Sequence, residues 1–149
     1  MIHQQIKSGR IAEFLACAII EDLGWQVSLC QQTGFDLIAF KDQDCVRIQV
    51  KGSHIKKHFT KNGIQFVIGM GKDKRLPSIK DYDIACLVSI EHRKAYFMHM
   101  NQIKKKTIRK RVDYFYKENL EESTWNEAIE QFYDTPYCRS VFNTKRIFR

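Results

Sequence analysis

The chain has 149 residues, of which 44% are hydrophobic and 28% are charged, so it is large enough for one globular domain and too apolar for a disordered chain. No apolar run reaches the length of a membrane span, and the first residues, 1–5, lack the apolar segment of a signal peptide. Five cysteines without a Cys-x-x-Cys pair predict reduced thiols in a cytoplasmic protein rather than disulfides or a zinc site.

Positive charge is in excess and unevenly distributed. Lys plus Arg exceeds Asp plus Glu by eight (25 − 17). Nine basic residues and one acid occur over 47–80, seven basic residues and two acids over 101–119, and four basic residues and no acid over 139–149. A single run of this kind is usually a solvated surface. Three runs instead indicate a protein that binds the phosphate backbone of a nucleic acid.

The predicted elements follow in chain order. The apolar spacing predicts a helix over 8–23, ended by Gly24, with a broad apolar stripe formed by Ile11, Phe14, Leu15, Ala18, Ile19 and Leu23. Strands are predicted over 25–30, 35–40, 45–51, 64–70, 82–90 and 94–100. Residues 101–117 are predicted to be helical, and a capping box over 124–127 predicts the start of a last helix, which Pro136 ends.

These elements predict an α/β fold with a central mixed sheet of about five or six strands flanked by helices. They form a single domain, 1–149, with a catalytic core at about 5–100 and a basic, aromatic C-terminal extension at about 101–149. The aromatic residues of that extension, such as Trp125 and Phe132, belong either to the core or to an interface.

Three polar residues interrupt the apolar hairpin formed by 35–40 and 45–51. Gln49 and Lys51 are two apart, so they project from the same face of a strand. If 41–44 is a four-residue loop, Phe40 pairs with Cys45 and Asp36 lies opposite Gln49. Taken singly, Asp36 is equally consistent with a turn residue, and Gln49 and Lys51 with an exposed strand face. Together they predict a patch that holds a hard divalent cation and a phosphate.

The ordered series of a helix with Glu13, a strand, Asp36 and then Gln49-x-Lys51 resembles the PD-(D/E)XK nuclease superfamily, in the variant where Gln replaces the second acid. Residues 9–16 and 23–27 are similar to the first helix and strand of Holliday-junction resolvases. The small size and basic bias most resemble the bacterial group I intron-encoded homing endonuclease with the restriction-type fold. The resemblance extends over about residues 5–70 and implies a restriction endonuclease-like core.

The resemblance also implies site residues and a cofactor. Asp36, Gln49, the Val50 carbonyl and Glu13 would ligate Mg²⁺, for which Mn²⁺ substitutes, and Lys51 would act at the scissile phosphate or the attacking water. The position of Glu13 in sequence is equally consistent with an ordinary exposed acid on a helix.

Two further groups of residues are predicted to contact DNA. The polar loop 52–63 leaves the Lys51 strand directly, and the densest basic patch lies at 104–111. The predicted DNA-binding residues are Lys56, Lys57, His58, Thr60, Lys61, Asn62, Lys72, Lys74, Arg75, Lys104, Lys105, Lys106, Arg109, Lys110 and Arg111. His54 and His58 are four apart but lie in a lysine-rich loop with no carboxylate partner, so phosphate contact or solvation is expected rather than metal binding.

The sequence therefore predicts a metal-dependent, site-specific endonuclease acting on double-stranded DNA as a homo-oligomer, a dimer or tetramer, of the intron-encoded homing type. Two alternatives stay open. One is a structure-specific nuclease like a Holliday-junction resolvase, and the other is a non-catalytic nucleic-acid-binding protein.

Overall fold

A computed structural model describes residues 2–32, 34–54 and 63–135 of the chain. The elements are helix α1 (Ile2–Asp22), strands β1 (Gln26–Gln32), β2 (Phe35–Lys41), β3 (Asp44–Ser53), β4 (Gly63–Val67), β5 (Ile84–Ser89), β6 (Lys94–His99) and β7 (Thr107–Arg111), and helix α2 (Leu120–Asp134). Short 3-10 helices at Met100–Gln102 and Val112–Tyr116 precede and follow β7. Within these residues, no helix is both long enough and apolar enough to cross a membrane.

Five of the strands form one mixed sheet in the order β1-β2-β3-β5-β6. Strands β3 and β5 are parallel and the other neighbours are antiparallel. Strands β4 and β7 pair with each other in a separate two-stranded sheet, called here the β4–β7 ribbon. The predicted α/β fold with a central mixed sheet is therefore confirmed.

The central sheet is covered on both faces, and strand β5 is consequently buried along its whole length. Its residues Ile84, Cys86 and Val88 pack into a core with helices α1 and α2, called here the helix-side core. Its residues Ala85 and Leu87 face the other way, into a ribbon-side core beneath β4 and β7. The ribbon and the two helices thus lie on opposite faces of the same sheet.

Helix α1 packs on the sheet by a face that only partly matches the predicted stripe: Leu15, Ile19 and Leu23 pack against the helix-side core as partly buried residues. The fully buried residues are Ala12, Ala16 and Ile20, whereas Ile11 and Phe14 are 38% and 50% exposed. Small side chains are buried because α1 approaches β3 closely: a Cβ on Gly52 would lie 2.5 Å from the Cβ of Ala12. The prediction was wrong for Ile11 and Phe14, because the spacing of large apolar residues does not report how near a sheet comes.

Residues 101–117 do not form the predicted helix. Ile108 pairs with Phe66 of β4 and packs against the ribbon-side core. The partner strand lies some forty residues earlier in the chain, so local sequence gives no sign of it.

The predicted capping box of α2 is also wrong, because the helix begins at Leu120 and Thr124 is inside it. The buried Thr124 hydroxyl donates to the Leu120 carbonyl and accepts from the Phe97 amide, which ties α2 to β6. Trp125 and Phe132, which the sequence left open between core and interface, belong to the helix-side core.

The β2–β3 hairpin has the predicted pairing of Phe40 with Cys45. Its loop is shorter than predicted, because Lys41 also pairs with Asp44. The turn is therefore Asp42-Gln43, with Asp42 in the left-handed region at φ 54°.

Candidate active site

Asp36, Gln49 and Lys51, called here the Asp36 patch, lie on one face of the central sheet. The β2–β3 ladder pairs Leu37 with Ile48, so one residue further along both strands Asp36 lies level with Gln49. On the other side of β3, Gln49 and Lys51 are level with Ala85 and Leu87, which belong to the ribbon-side core. The patch therefore faces the β4–β7 ribbon, and all three of its side chains are half-buried.

The Asp36 carboxylate is held by the main chain of β3. Its Oδ2 accepts a hydrogen bond of 2.9 Å from the Val50 amide. In a strand the N–H and C=O of one residue point to the same side, so the Val50 carbonyl faces the same gap between the strands. The Asp36 carboxylate and the predicted ligand carbonyl of Val50 thus lie on the same side of β3.

Asp36 and Lys51 perturb each other in a partly dehydrated site. Burial raises the pKa of the Asp36 carboxyl, against the opposing effects of the Val50 amide and the Lys51 ammonium. Burial also lowers the pKa of Lys51; the Asp36 charge opposes this effect and the Lys74 charge adds to it. Keeping Asp36 and Lys51 ionised therefore costs desolvation free energy, as is common in functional sites.

Glu13 reaches the neighbourhood of the patch through the packing of α1. Its neighbour Ala12 lies against Gly52, the residue that follows Lys51. Burial and the Asp36 charge raise the pKa of Glu13, while Arg10 lowers it. Glu13 is thus close enough for the Asp36 charge to be felt, unlike an ordinary exposed helix acid.

The donor set suits a hard cation with few protein ligands. Asp36 and Glu13 would supply carboxylates, Gln49 an amide oxygen and Val50 a carbonyl. Over residues 2–32, 34–54 and 63–135, no group of three or more His, Cys, Asp or Glu side chains is placed to hold a metal. Mg²⁺ tolerates such a set, because it binds one or two carboxylates and keeps several waters. Zinc does not, because its protein sites take three or four nitrogen, sulfur or carboxylate ligands.

His54 has the carboxylate partner that its sequence neighbourhood lacks. Its Nδ1 lies 2.9 Å from Oε1 of Glu91, and its Nε2 lies 3.0 Å from the Ser8 hydroxyl. The expectation that His54 has no carboxylate partner was therefore wrong, although its side chain is exposed. The three side chains instead connect α1, the end of β3 and the β5–β6 turn.

The β4–β7 ribbon divides the predicted basic patch into two sides. Thr107, Arg109 and Arg111 alternate outward, and an Arg109 nitrogen donates to the Gln65 side chain at 3.2 Å. Lys110 points inward, with its ammonium 4.1 Å from the ring centre of Tyr96. Burial lowers the pKa of Lys110, so this predicted DNA contact differs in environment from its neighbours.

The remaining predicted contacts lie around the same surface. Lys104, Lys105 and Lys106 are exposed just before β7, and the Lys106 carbonyl accepts from the amides of Ile68 and Gly69. Strand β4 ends at Val67 rather than at the predicted residue 70.

The turn after β4 carries three more of the predicted cations. Lys72 and Lys74 are exposed, and the Lys74 charge reaches Lys51. Arg75 is paired with Asp81, to which its guanidinium donates two hydrogen bonds of 2.9 and 2.8 Å. The predicted loop contacts Lys56, Lys57, His58, Thr60, Lys61 and Asn62 lie outside the described residues.

Two polar residues were missed from the sequence. Gln65 alternates with the buried Ile64 and Phe66, a strand pattern that marks it as outward-facing on the ribbon. Ser8 gave no signal, because its partner His54 is 46 residues away.

Comparisons with known proteins agree with this architecture. No protein-family model matches the chain, and no curated protein matches it. Among solved structures, the fold is similar to that of the bacterial homing endonuclease I-Ssp6803I, with a TM-score of 0.64 and 19% sequence identity. The match covers 83% of this chain and 92% of that one. The chain therefore has a fold like that of a bacterial homing endonuclease.

Proposed function

We propose that the protein is a metal-dependent endonuclease that hydrolyses phosphodiester bonds in double-stranded DNA at specific sites. The observation that carries this proposal is the Asp36 patch, in which a carboxylate held by the Val50 amide lies with Gln49 and Lys51 on the sheet face that carries the basic ribbon. The fold shared with a bacterial homing endonuclease supports the homing type. The proposal of a PD-(D/E)XK site in its Gln-x-Lys variant rests on the sequence order of Glu13, Asp36, Gln49 and Lys51.

Asp36, Gln49, the Val50 carbonyl and Glu13 would hold Mg²⁺ or Mn²⁺. When bound, the cation would neutralise charge on the phosphate and lower the pKa of a coordinated water. The Val50 amide fixes the orientation of Asp36, so the carboxylate is preorganised. Gln49 can orient the attacking water through its amide.

Among the chain's own residues, Lys51 supplies the positive charge beside the reacting phosphate. Its lowered pKa reflects a partly dehydrated ammonium, which interacts more strongly with a phosphate than a fully hydrated one does. Its role is to stabilise the charge that develops on the phosphate oxygens.

The β4–β7 ribbon suits the major groove of DNA, which admits a two-stranded ribbon. Arg109 and Gln65 are residue types that pair with guanine and adenine edges. Lys104, Lys105 and Lys106 suit phosphate anchoring, because they are exposed and sit at the start of β7.

One Asp36 patch per chain does not easily cut two strands together. We therefore propose a homo-oligomer, a dimer or tetramer, whose two sites act on one duplex.

The test is single-turnover cleavage of a duplex library with a randomised site, in Mg²⁺, with the wild type and Asp36→Asn. The wild type is expected to cut and to stop in EDTA, whereas Asp36→Asn is expected to bind the library and leave it intact. Near-normal cleavage by Asp36→Asn, or full activity in EDTA, would remove the Asp36 patch from consideration. Binding without any cleavage by the wild type would favour the non-catalytic alternative.

A parallel assay on four-way junctions separates the resolvase alternative. Preferential cutting of junctions, with little dependence on sequence, would replace the homing proposal while keeping the same site.

A further inference from the structure

The end of strand β3 is tied to helix α1 by three side chains, called here the Ser8–His54–Glu91 link. The Ser8 hydroxyl lies 3.0 Å from Nε2 of His54, and Nδ1 of His54 lies 2.9 Å from Oε1 of Glu91. A carboxylate accepts hydrogen bonds, so Nδ1 donates to Glu91. A hydroxyl both donates and accepts, so Ser8 can pair with His54 in its neutral and in its charged form. The link therefore holds α1 in either state of the imidazole.

The link lies beside the closest contact between α1 and the sheet. Ser8 and Ala12 are four residues apart, so they lie on the same face of α1. A Cβ on Gly52 would lie 2.5 Å from the Ala12 Cβ and 3.6 Å from the Ser8 carbonyl oxygen. This packing limits how near α1 comes to β3, but van der Waals contact has little directionality. The hydrogen bonds of the link are directional, so they fix where α1 lies along the strand.

The β3 end of the link is itself held from two sides. The Ser53 hydroxyl donates to the Gln65 carbonyl of β4 at 2.7 Å. The Ser53 carbonyl accepts from the Ile90 amide of the β5–β6 turn at 3.2 Å. His54 therefore follows a strand end that the ribbon and the turn both fix, and it gives α1 a firm point of attachment.

The place of Glu13 depends on this attachment. Glu13 lies five residues after Ser8, which is about 7.5 Å along the helix. The charge of Asp36 is felt at Glu13, so α1 carries this carboxylate to the Asp36 patch. A shift of α1 along β3 would move Glu13 away from the patch, and a displacement of about 1 Å is enough to impair a functional site.

We infer that Ser8, His54 and Glu91 are positioning residues that hold Glu13 at the Asp36 patch for the binding of a divalent cation. This role rests on the proposed function and adds to it residues that are not themselves metal ligands. Groups that orient metal ligands from outside commonly change metal affinity by about 10–100-fold. The link acts through a helix, so a smaller effect is expected.

The first experiment measures Mn²⁺ binding to the DNA-free protein by electron paramagnetic resonance, for the wild type and Ser8→Ala. The dissociation constant of Ser8→Ala is expected to rise at least about threefold, because the hydrogen bond that joins α1 to His54 is lost. Ala favours a helix more than Ser does, so weaker binding by this variant does not arise from a less stable α1.

The second experiment adds His54→Ala, the double variant with Ser8→Ala, and a control. Because Ser8 acts through His54, the double variant should bind Mn²⁺ no more weakly than His54→Ala. His92→Ala is the matched control, because His92 lies in the same turn as Glu91 but contacts Ser89 at 2.6 Å and stacks on Phe115 of the ribbon-side core. It should bind Mn²⁺ as the wild type does.

Cleavage provides a separate readout. In His54→Ala the Mg²⁺ concentration for half-maximal cleavage should rise at least about threefold. The rate at saturating Mg²⁺ should change little, because Glu13 is displaced and not removed. If the wild type does not cut DNA, the proposed function fails, whereas Mn²⁺ binding still tests the link.

Circular dichroism and thermal unfolding check that each variant folds. Equal Mn²⁺ affinity of Ser8→Ala and the wild type, or additive losses in the double variant, would overturn the positioning role. An equal loss in His92→Ala, or a wild type that binds no Mn²⁺, would also overturn it.

Discussion

The Asp36 patch and the β4–β7 ribbon are both polar, but they differ in their access to water. In the patch, burial raises the pKa of Asp36 and lowers that of Lys51. On the ribbon, Arg109 and Arg111 project into solvent. Charge in the dehydrated patch interacts strongly over short distances, whereas exposed charge acts weakly at each contact and adds over many contacts. We therefore assign catalysis to the Asp36 patch and affinity for DNA to the β4–β7 ribbon.

Lys51→Ala tests the patch and should have the largest effect. The cleavage rate at saturating protein is expected to fall by at least about 10³-fold, because the variant lacks the charge beside the reacting phosphate. The dissociation constant for DNA should change by less than about threefold, since one contact among many is lost. Single-turnover kinetics and a binding titration measure the two quantities. A normal rate with weakened binding would reverse the roles of the two regions.

Replacement of Lys104, Lys105 and Lys106 by Gln tests the ribbon side. The slope of log affinity against log salt should flatten by about 0.9 for each lost phosphate contact, on all sequences. The cleavage rate at saturating protein should be unchanged.

Lys110→Gln is the matched control for that triple variant. Because Lys110 packs over Tyr96, its replacement should lower stability and leave the salt slope as in the wild type. Equal salt slopes for the triple variant and the wild type would contradict the division between the regions.

Gly52→Ala sharpens the comparison by testing how the patch is built. Its new Cβ would lie 2.5 Å from the Cβ of Ala12, so α1 must shift or the fold must lose about 1–3 kcal/mol of unfolding free energy. Gly9→Ala is the control, because nothing lies within 4 Å of its Cβ, and in α1 it should stabilise by about 0.5–1 kcal/mol. Urea denaturation measures both. Equal stability of the two variants would show that close packing at Gly52 is not required.

Asp36→Asn and Asp81→Asn should change stability in opposite directions. Asp36 has a raised pKa, so it binds its proton more tightly in the folded state, and ionisation destabilises the fold as the pH rises above 3.8. Asp36→Asn should therefore raise the melting temperature slightly at pH 7. Asp81 has a pKa lowered to about 2 by Arg75, so its ionised form stabilises the fold.

The stabilisation of the fold by ionised Asp81 is complete well above pH 3.8 and is lost as the pH falls towards 2. Asp81→Asn should lower the melting temperature at pH 7, and the loss should shrink below pH 4. Melting curves from pH 2 to 8 measure both differences. Destabilisation by Asp36→Asn at pH 7 would argue against a dehydrated patch.

Much of the site could be predicted from local sequence. The alternation on either side of Asp42 requires a hairpin, and the side-chain period of two then places Asp36 level with Gln49 and Lys51 on the same face. The hairpin loop was predicted two residues too long, but the predicted register was correct because the alternation of buried residues along both strands sets it.

Only the tertiary structure decided the rest. The distance of closest approach between α1 and β3 selected Ala12 and Ala16 for burial over larger neighbours. Pairing with β4 made a strand of residues that read locally as a helix, and it turned Lys110 away from Arg109 and Arg111.

The sequence by itself determined the hairpin, its register and the basic bias, since these depend on residue type and neighbouring spacing. Burial of Asp36, proximity of Glu13 and the two faces of the ribbon depend on segments distant in the chain, so only the packed structure could decide them.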